Sequence, residues 1–288
     1  QVGSTIKPYL YALAMENGFT PCDEAPNVQT TYMVGGKPWT PRNSGTARIG
    51  EMVTLKWGLS QSNNWISAYL MDKLDPNALV QLIRTFGINS LDVYPSMSLC
   101  LGTCDISVSE MVSAYSAFVN KGIRVAPMYV TRIEDNEGEL ITDFHSRMNE
   151  VISAESSYKM LEMLRAVIDQ GTGGRLRYKY NLTAPIGGKT GTTNNDSDAW
   201  FMGFVPRLVS GCWVGGEDRD IHFDQMSIGQ GASAALPIWA KYMKMVYADQ
   251  SLGYSQTETF DIPADFNSCE NTFGADSMMV NEIDEIFE

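Results

Sequence analysis

The chain has 288 residues, 44% of them hydrophobic, and a formal net charge of −13. This length predicts one or two domains, and the acidity argues against nucleic-acid binding, because phosphate contacts need clustered Lys and Arg side chains. No run of 18 apolar residues occurs, so we expect no membrane-spanning helix.

The first half of the chain is predicted to be mainly helical. Ile6, Leu10 and Leu13 recur at helical spacing, and Gly18 is a plausible helix stop. Residues 18–50 are rich in Pro, Gly, Asn and Thr and are expected to form a long surface loop. From 51 to 120 the pattern is helical, interrupted at residues 62–64. Met52, Leu55 and Leu59 are expected on one helix face.

The second half introduces strands. Residues 123–145 alternate and turn at 136–138, which predicts an exposed hairpin. A helix capped by Ser153 leads to the flexible corner 171–174. Strands are expected at 184–193, 199–205 and 208–215, followed by a closing helix at 232–247 and an acidic tail of unknown role at 248–288. The order of elements indicates an α+β fold.

The five cysteines and two histidines are spread along the chain. Cys100 and Cys104 lack the second pair that a typical zinc site would need. We therefore expect neither a metal site nor a cofactor. Buried free thiols are the default expectation, and pairing of Cys100 with Cys104 is the alternative.

Three short polar motifs occur in order along the chain. They are Ser4-Thr-Ile-Lys7, Ser62-Asn63-Asn64 and Lys189-Thr190-Gly191, the last continued by Thr192. Taken singly, each has an ordinary interpretation: a helix cap, a polar link between helices, and a surface lysine beside a turn. Their order and their predicted local structures favour a shared catalytic role.

The chemistry of these residue types is consistent with such a role. A serine hydroxyl becomes a good nucleophile only when a base takes its proton, and neither His145 nor His222 lies in a motif. Lys7, one helical turn from Ser4, is the candidate base. Its pKa would have to fall well below the ordinary value, through burial and through a second positive charge such as Lys189.

The three motifs resemble those of penicillin-binding proteins and class A β-lactamases. Further segments are similar to the transpeptidase domain of class A, bifunctional penicillin-binding proteins over residues 1–247. These segments are Gly3–Pro8, Trp39-x-Pro-x-Asn43, Leu101-Gly-Thr103, Ser109-Glu-Met111, Asp198-Ala-Trp-Phe201 and Ala235-Leu-Pro-Ile-Trp239.

The resemblance implies a role for each motif residue. Ser4 would attack a D-Ala-D-Ala stem peptide, Lys7 would take the proton of Ser4, and Ser62, aided by Lys189, would pass a proton to the leaving D-alanine. The substrate would be held by the Asn64 amide and by the Thr190-Gly191-Thr192 ledge. Backbone N–H groups of Ser4 and Thr192 would form the oxyanion hole.

The resemblance also implies the architecture and setting. We expect an antiparallel sheet flanked by helices, a mainly helical part at 51–175, and a sheet with its closing helix at 184–247. Only three residues precede Ser4, so the sheet's N-terminal strands would be missing, which would expose apolar surface and an open sheet edge and favour poor solubility or partner pairing. Targeting segments and an inner-membrane anchor would lie further upstream in a periplasmic protein.

The expected partners are peptidoglycan stem peptides, β-lactam antibiotics as covalent inhibitors, and components of the cell-wall machinery. Two alternatives remain open at this point. A D,D-carboxypeptidase or β-lactamase would use water in place of an acceptor amine. A non-catalytic penicillin-binding module would form the acyl-enzyme only to signal or to scaffold.

Overall fold

The computed structural model describes residues 1–270. Its helices are α1 Lys7–Glu16, α2 Leu55–Ser60, α3 Asn64–Leu74, α4 Pro76–Thr85, α5 Val108–Val119, α6 Ala154–Asp169, α7 Arg175–Tyr178, α8 Met226–Gly229 and α9 Ala235–Ala248. Its strands are β1 Glu24–Pro26, β2 Tyr32–Val34, β3 Lys37–Trp39, β4 Met52–Thr54, β5 Ile123–Val125, β6 Arg132–Glu134, β7 Leu140–Asp143, β8 Met148–Glu150, β9 Gly187–Thr192, β10 Asp198–Val205 and β11 Leu208–Gly215. Among the described residues, no helix is long and apolar enough to cross a bilayer.

The main sheet is antiparallel, with the strand order β11-β10-β9. Every residue of the central strand β10 is buried, because α5 and α9 pack against it and α6 lies against its neighbour β9. The remaining strands of the described chain form two-stranded pairs. The predicted α+β class is confirmed, and within residues 1–270 the main sheet lacks long strands preceding α1.

Helix α1 runs through the centre of the molecule. Every residue from Lys7 to Met15 is buried, as expected for a helix that is apolar on all sides. Tyr9 packs against the rings of Phe86, Tyr115 and Phe118, with ring centroids 5.1, 5.8 and 5.9 Å away. The Tyr115 and Phe118 side chains of α5 are therefore part of the core.

The segment between α1 and α2 differs from the predicted loop. It contains two strand pairs, β1 with β4 and β2 with β3. Met52, expected on a helix face, lies in strand β4 and is 50% exposed, whereas its neighbour Val53 is buried. Helix α2 begins only at Leu55, because the Thr54 hydroxyl accepts the Trp57 N–H and caps the helix there.

The predicted Ser153 cap is confirmed, and so is an exposed hairpin that turns at 136–138, although it is shorter than 123–145 because residues 123–125 pair with β8 instead. Strands β6 and β7 pair around residues 135–139, and the Ser153 hydroxyl accepts the Ser156 N–H at 3.1 Å. The hairpin is exposed, including Ile133 and Ile141, and so is the outer face of α9 at Met245. Apolar surface is thus exposed on both elements, while the expectation of poor solubility stays a prediction.

The segment after α9 packs against the domain over residues 249–270. Phe260 packs edge-on against Phe204, at 5.9 Å between ring centroids, and Phe266 packs against Tyr158 at 5.3 Å. Asp261 pairs with Lys121 at 2.6 Å. This part of the predicted tail is therefore docked, and residues 271–288, where the acidic end was expected, lie outside the described residues.

The cysteine prediction was wrong in one respect. Cys22 and Cys269, 247 residues apart in sequence, form a disulfide that ties the docked C-terminal segment to the turn after α1. Cys100 and Cys104 are free and buried, and Cys212 is free and half-buried. The bridge could not be predicted, because only folding brings these distant cysteines together.

Candidate active site

Ser4 lies in a short 3-10 helix, Gly3–Ile6, that leads directly into α1. Backbone hydrogen bonds from Val2 to Cys104 and from Gly3 to Gly102 fix this turn. Gly102 has a positive φ of 77°, and a Cβ there would lie 1.9 Å from the Gly3 carbonyl oxygen. Glycine is therefore required where the two chain segments meet.

Lys7 is fully buried, one turn further along the chain. Its Nζ donates to the Ser62 carbonyl at 2.6 Å and to Asn64 Oδ1 at 2.6 Å, and it lies 3.5 Å from Ser62 Oγ. The amine is thus held against the second motif, which the sequence places 55 residues away.

Ser62 stands at the sharp turn between α2 and α3, with a positive φ of 55°. Non-glycine residues rarely adopt this conformation, and such strain clusters at functional sites. The following residue supports the turn: Asn63 Oδ1 accepts the N–H groups of Trp65 and Ile66 and caps α3. Asn63 Nδ2 in turn donates to buried Asn27 at 2.8 Å, so the turn is fixed from both sides.

Lys189 reaches the same hydroxyl from strand β9. It is fully buried, and its Nζ donates to Ser62 Oγ at 2.8 Å and to the Thr190 carbonyl at 3.0 Å. Two lysine amines from distant parts of the chain therefore meet at one serine hydroxyl. The three predicted motifs come together around it.

Burial controls the charge of both lysines. Removal from water lowers the pKa of Lys7 from 10.5 to about 7, although the nearby Cys100 thiol opposes the shift. Burial also lowers the pKa of Lys189 well below its ordinary value, and the charge of Lys7 adds to this effect. For Lys7 the main cause is therefore desolvation, and the repulsion between the lysines, which the sequence suggested as a cause, acts on the pKa of Lys189.

The predicted ledge, Thr190-Gly191-Thr192, is the C-terminal half of β9 and lies against the Ser4 turn. A Cβ on Gly191 would lie 2.7 Å from the Val2 carbonyl oxygen, and one on Gly3 would lie 2.7 Å from the Thr192 carbonyl oxygen. The absence of side chains thus lets the two backbones touch. The Thr192 hydroxyl accepts the Gly231 N–H at 3.0 Å, and the Thr190 hydroxyl lies 2.8 Å from that of Thr172.

Three hydrogen bonds, two through its side chain and one from its backbone N–H, hold Asn64 in place. Its Oδ1 accepts from Lys7, its Nδ2 donates to the Arg42 carbonyl at 2.7 Å, and its backbone N–H donates to Asn43 Oδ1 at 3.1 Å. The side chain still lines the cleft. The loop that contains Arg42 and Asn43 therefore holds the Asn64 side chain at the edge of the cleft.

These residues border an open cleft of about 440 Å³. Ser4, Ser62, Asn64, Thr190 and Thr192 all line it, whereas Lys7 and Lys189 lie beneath its floor, fully buried. His145 and His222 are not among its lining residues. Within residues 1–270, no group of three or more His, Cys, Asp or Glu side chains is arranged to hold a metal ion.

The family model described as the penicillin binding protein transpeptidase domain matches residues 1–210. The chain belongs to this family. The resemblance to this family seen in the sequence is thereby confirmed.

Relatives and solved structures agree with this assignment. Penicillin-binding protein 1A of Aquifex aeolicus is 34% identical over 85% of this chain and 33% of its own length. That of Neisseria meningitidis is 32% identical over 85% of this chain and 31% of its own length. The transpeptidase domain described here therefore spans about a third of the curated relatives it matches.

The crystal structure of penicillin-binding protein 1A from Haemophilus influenzae is 28% identical and covers 87% of this chain and 42% of that chain, with a TM-score of 0.78. The PonA1 protein from Mycobacterium tuberculosis in complex with penicillin V is 23% identical and covers 92% of this chain and 72% of that chain, with a TM-score of 0.73. The similarity to PonA1 supports the fold alone, because the sequence identity is 23%.

Several lining residues of the transpeptidase domain were missed from the sequence. They are Arg42, Ser44, Gln61, Thr172, Arg175, Tyr178, Met226 and Gln230. The Gly171-Thr-Gly-Gly174 run gave a weak signal, because it indicated a special backbone conformation. It was interpreted only as a corner, since nothing in the sequence shows that it lies against β9.

Proposed function

We propose that this chain is the catalytic domain of a peptidoglycan D,D-transpeptidase, which cross-links stem peptides ending in D-Ala-D-Ala through an acyl-enzyme on Ser4. The observation that carries this proposal is the meeting of the Lys7 and Lys189 amines at Ser62 Oγ, beneath the cleft that Ser4 lines. A base with a lowered pKa beside a cleft serine is the arrangement that nucleophilic acyl transfer requires.

In the first step, Ser4 Oγ attacks the carbonyl carbon of the penultimate D-alanine. The Oγ–C bond forms as the neutral Lys7 amine takes the hydroxyl proton, and the C–N bond to the terminal D-alanine then breaks. Ser62 lies between the two lysines and passes a proton to the departing nitrogen. A general base of this kind typically contributes 10²–10⁴-fold to the rate.

The developing oxyanion would be stabilised by the backbone N–H groups of Ser4 and Thr192. The close approach of the Gly3 and Thr192 backbones supports this assignment. Each such donor is typically worth about 2.7–4 kcal/mol of transition-state stabilisation. Thr190, Gly191 and Thr192 would hold the terminal carboxylate, and Asn64 would bind the amide side of the substrate.

In the second step, the amine of a neighbouring stem peptide attacks the acyl-enzyme. A new amide bond forms, the ester bond to Ser4 breaks, and the proton returns to Ser4 through Lys7. β-Lactams would acylate Ser4 as mimics of the substrate. In the longer protein, the domain would work on the periplasmic side of an inner membrane, with other cell-wall proteins as partners.

The test of acylation is mass spectrometry of the intact protein after treatment with benzylpenicillin, followed by peptide mapping. We expect one adduct, on Ser4, that is absent from Ser4→Ala. Ser44→Ala is the matched control, because Ser44 also exposes a hydroxyl in the cleft and should leave the adduct unchanged. An adduct that persists in Ser4→Ala would contradict the assignment of the nucleophile.

A second experiment separates the transpeptidase from its rivals. The protein is incubated with a D-Ala-D-Ala peptide and an amine acceptor, and the products are resolved by chromatography. The transpeptidase forms the amide product, a D,D-carboxypeptidase releases mainly the hydrolysed peptide, and a non-catalytic module gives neither product. Rapid turnover of benzylpenicillin would instead favour a β-lactamase.

A further inference from the structure

We propose that Thr172 is a positioning residue of the carboxylate subsite, which turns the Thr190 hydroxyl hydrogen toward the cleft. This inference rests on the proposed function and adds a residue outside the three motifs. Thr172 lies just after α6, in the turn Gly171-Thr-Gly-Gly174, and its Oγ1 is 2.8 Å from Thr190 Oγ1. Both residues line the cleft.

The turn that carries Thr172 is tightly fixed. The Thr172 N–H donates to the Ser60 carbonyl at 3.1 Å, and the Gly173 N–H donates to Val167 at 2.9 Å. A Cβ on Gly171 would lie 2.0 Å from the Ser60 carbonyl oxygen, so only glycine permits this approach. The Thr172 hydroxyl is therefore held in place by the backbone, between the end of α2 and strand β9.

The direction of the hydrogen bond between the two hydroxyls follows from the charge of the ligand. Each hydroxyl has one hydrogen to donate and two lone pairs that accept. If Thr190 donated to Thr172, it would present only lone pairs to the cleft and would repel a carboxylate. When Thr172 donates, Thr190 Oγ1 is polarised and its hydrogen is free for the anion.

A carboxylate ligand thus selects the arrangement in which Thr172 is the donor. A neutral ligand is not stabilised further by the arrangement in which Thr172 donates to Thr190. The contribution of Thr172 should therefore depend on the negative charge of the ligand, which separates a positioning role from a merely structural one.

The experiment measures the second-order rate of Ser4 acylation by benzylpenicillin and by its methyl ester, which lacks the charge. Thr172→Val should slow the reaction of the acid by about three- to tenfold, the range expected for one hydrogen bond, and leave that of the ester unchanged. Thr172→Ser, which keeps the hydroxyl, should restore the rate with the acid.

Thr183→Val is the matched control, because its hydroxyl bonds to Gln256 on the surface, away from the cleft, and its loss should alter neither rate. Thr190→Val should show a selective loss at least as large as that of Thr172→Val, and the double variant should be no slower than Thr190→Val alone, since Thr172 acts through Thr190.

Equal slowing of the acid and the ester, additive effects in the double variant, or an unchanged rate with the acid in Thr172→Val would overturn the positioning role. These outcomes are distinct from failure of the proposed function. In that case benzylpenicillin would not acylate Ser4 in the unaltered protein, or the acylated protein would form no amide product from a D-Ala-D-Ala peptide and an amine acceptor.

Discussion

The contact between the Ser4 turn and β9 differs in construction from the contact between the C-terminal segment and the rest of the domain. The first is made by bare backbone at Gly3 and Gly191, beside two fully buried lysines. The second is made by aromatic rings, surface ion pairs and one disulfide, Cys22–Cys269. The contact at the candidate site thus depends on glycines with no room for a side chain, whereas the C-terminal contact combines side-chain packing with one covalent link.

The two contacts also differ in their effect on the free energy of folding. Burying amines whose pKa falls so far opposes folding, so the contact at the candidate site carries a free-energy penalty that the proposed function would require. The C-terminal contact has no such penalty and stabilises the fold without touching the cleft. Variants of the first should therefore change activity more than stability, and variants of the second should do the reverse.

The largest effect is expected for Lys7→Met. It removes the proposed base while keeping much of the side-chain volume, so acylation by benzylpenicillin should slow by about 10²–10⁴-fold. The melting temperature should stay equal or rise, because an amine that resists burial is lost. Exposed Lys241→Met on α9 is the control, and a normal acylation rate in Lys7→Met would remove Lys7 from the base role.

The pH dependence of acylation is the next largest effect. The pKa of Lys7 is about 7, and only the neutral amine can accept the Ser4 proton. The rate should therefore rise about tenfold per pH unit below pH 7 and level off above it. Stopped-flow measurement between pH 5.5 and 8.5 tests this, and a rate that is flat across the range would contradict it.

The free energy of unfolding, like the acylation rate, should rise with pH. The unfolded chain keeps the Lys7 proton up to the ordinary pKa of 10.5, and the folded protein keeps it only up to a pKa of about 7. Between these values the unfolded state binds more protons, so the free energy of unfolding rises with pH, by up to about 1.4 kcal/mol per unit. Denaturant titrations of Lys7→Met at pH 7 and pH 9 should show a smaller rise than the unaltered protein.

Removal of the disulfide tests the other contact. Cys269→Ser should lower the free energy of unfolding by about 2–5 kcal/mol and leave the acylation rate unchanged. Cys212→Ser, which alters a half-buried free thiol, is the matched control and should have a much smaller effect. A large loss of acylation in folded Cys269→Ser would show that the two contacts are coupled.

The smallest of these effects on stability is expected for Gly191→Ala. The added methyl group would meet the Val2 carbonyl oxygen at 2.7 Å and Trp200 Cβ at 2.9 Å, which should cost about 1–3 kcal/mol and shift the ledge away from Ser4. Gly45→Ala, with open space around it, should be neutral. Unchanged stability and acylation in Gly191→Ala would show that this close approach is not needed.

The sequence by itself determined the α+β class, the positions of α6 and of the three main strands, and the three motifs with their family. Helical spacing, caps such as Ser153 and glycine-rich or alternating strands are local patterns, so they can be identified without knowledge of the fold. The strand pairs within 18–54 were missed because each strand has only three residues, which is too short for a clear alternation.

Only the tertiary structure decided where the polar groups meet. The motifs predicted that Lys189 lies near Lys7, and the structure shows that both amines contact Ser62 Oγ. The pairing of Cys22 with Cys269 and the approach of Thr172 to Thr190 link separate elements and were not predicted. It also decided that burial, more than repulsion between the lysines, lowers the pKa of Lys7. Desolvation depends on how completely the surrounding chain excludes water, and that is a property of the packed molecule which no local pattern contains.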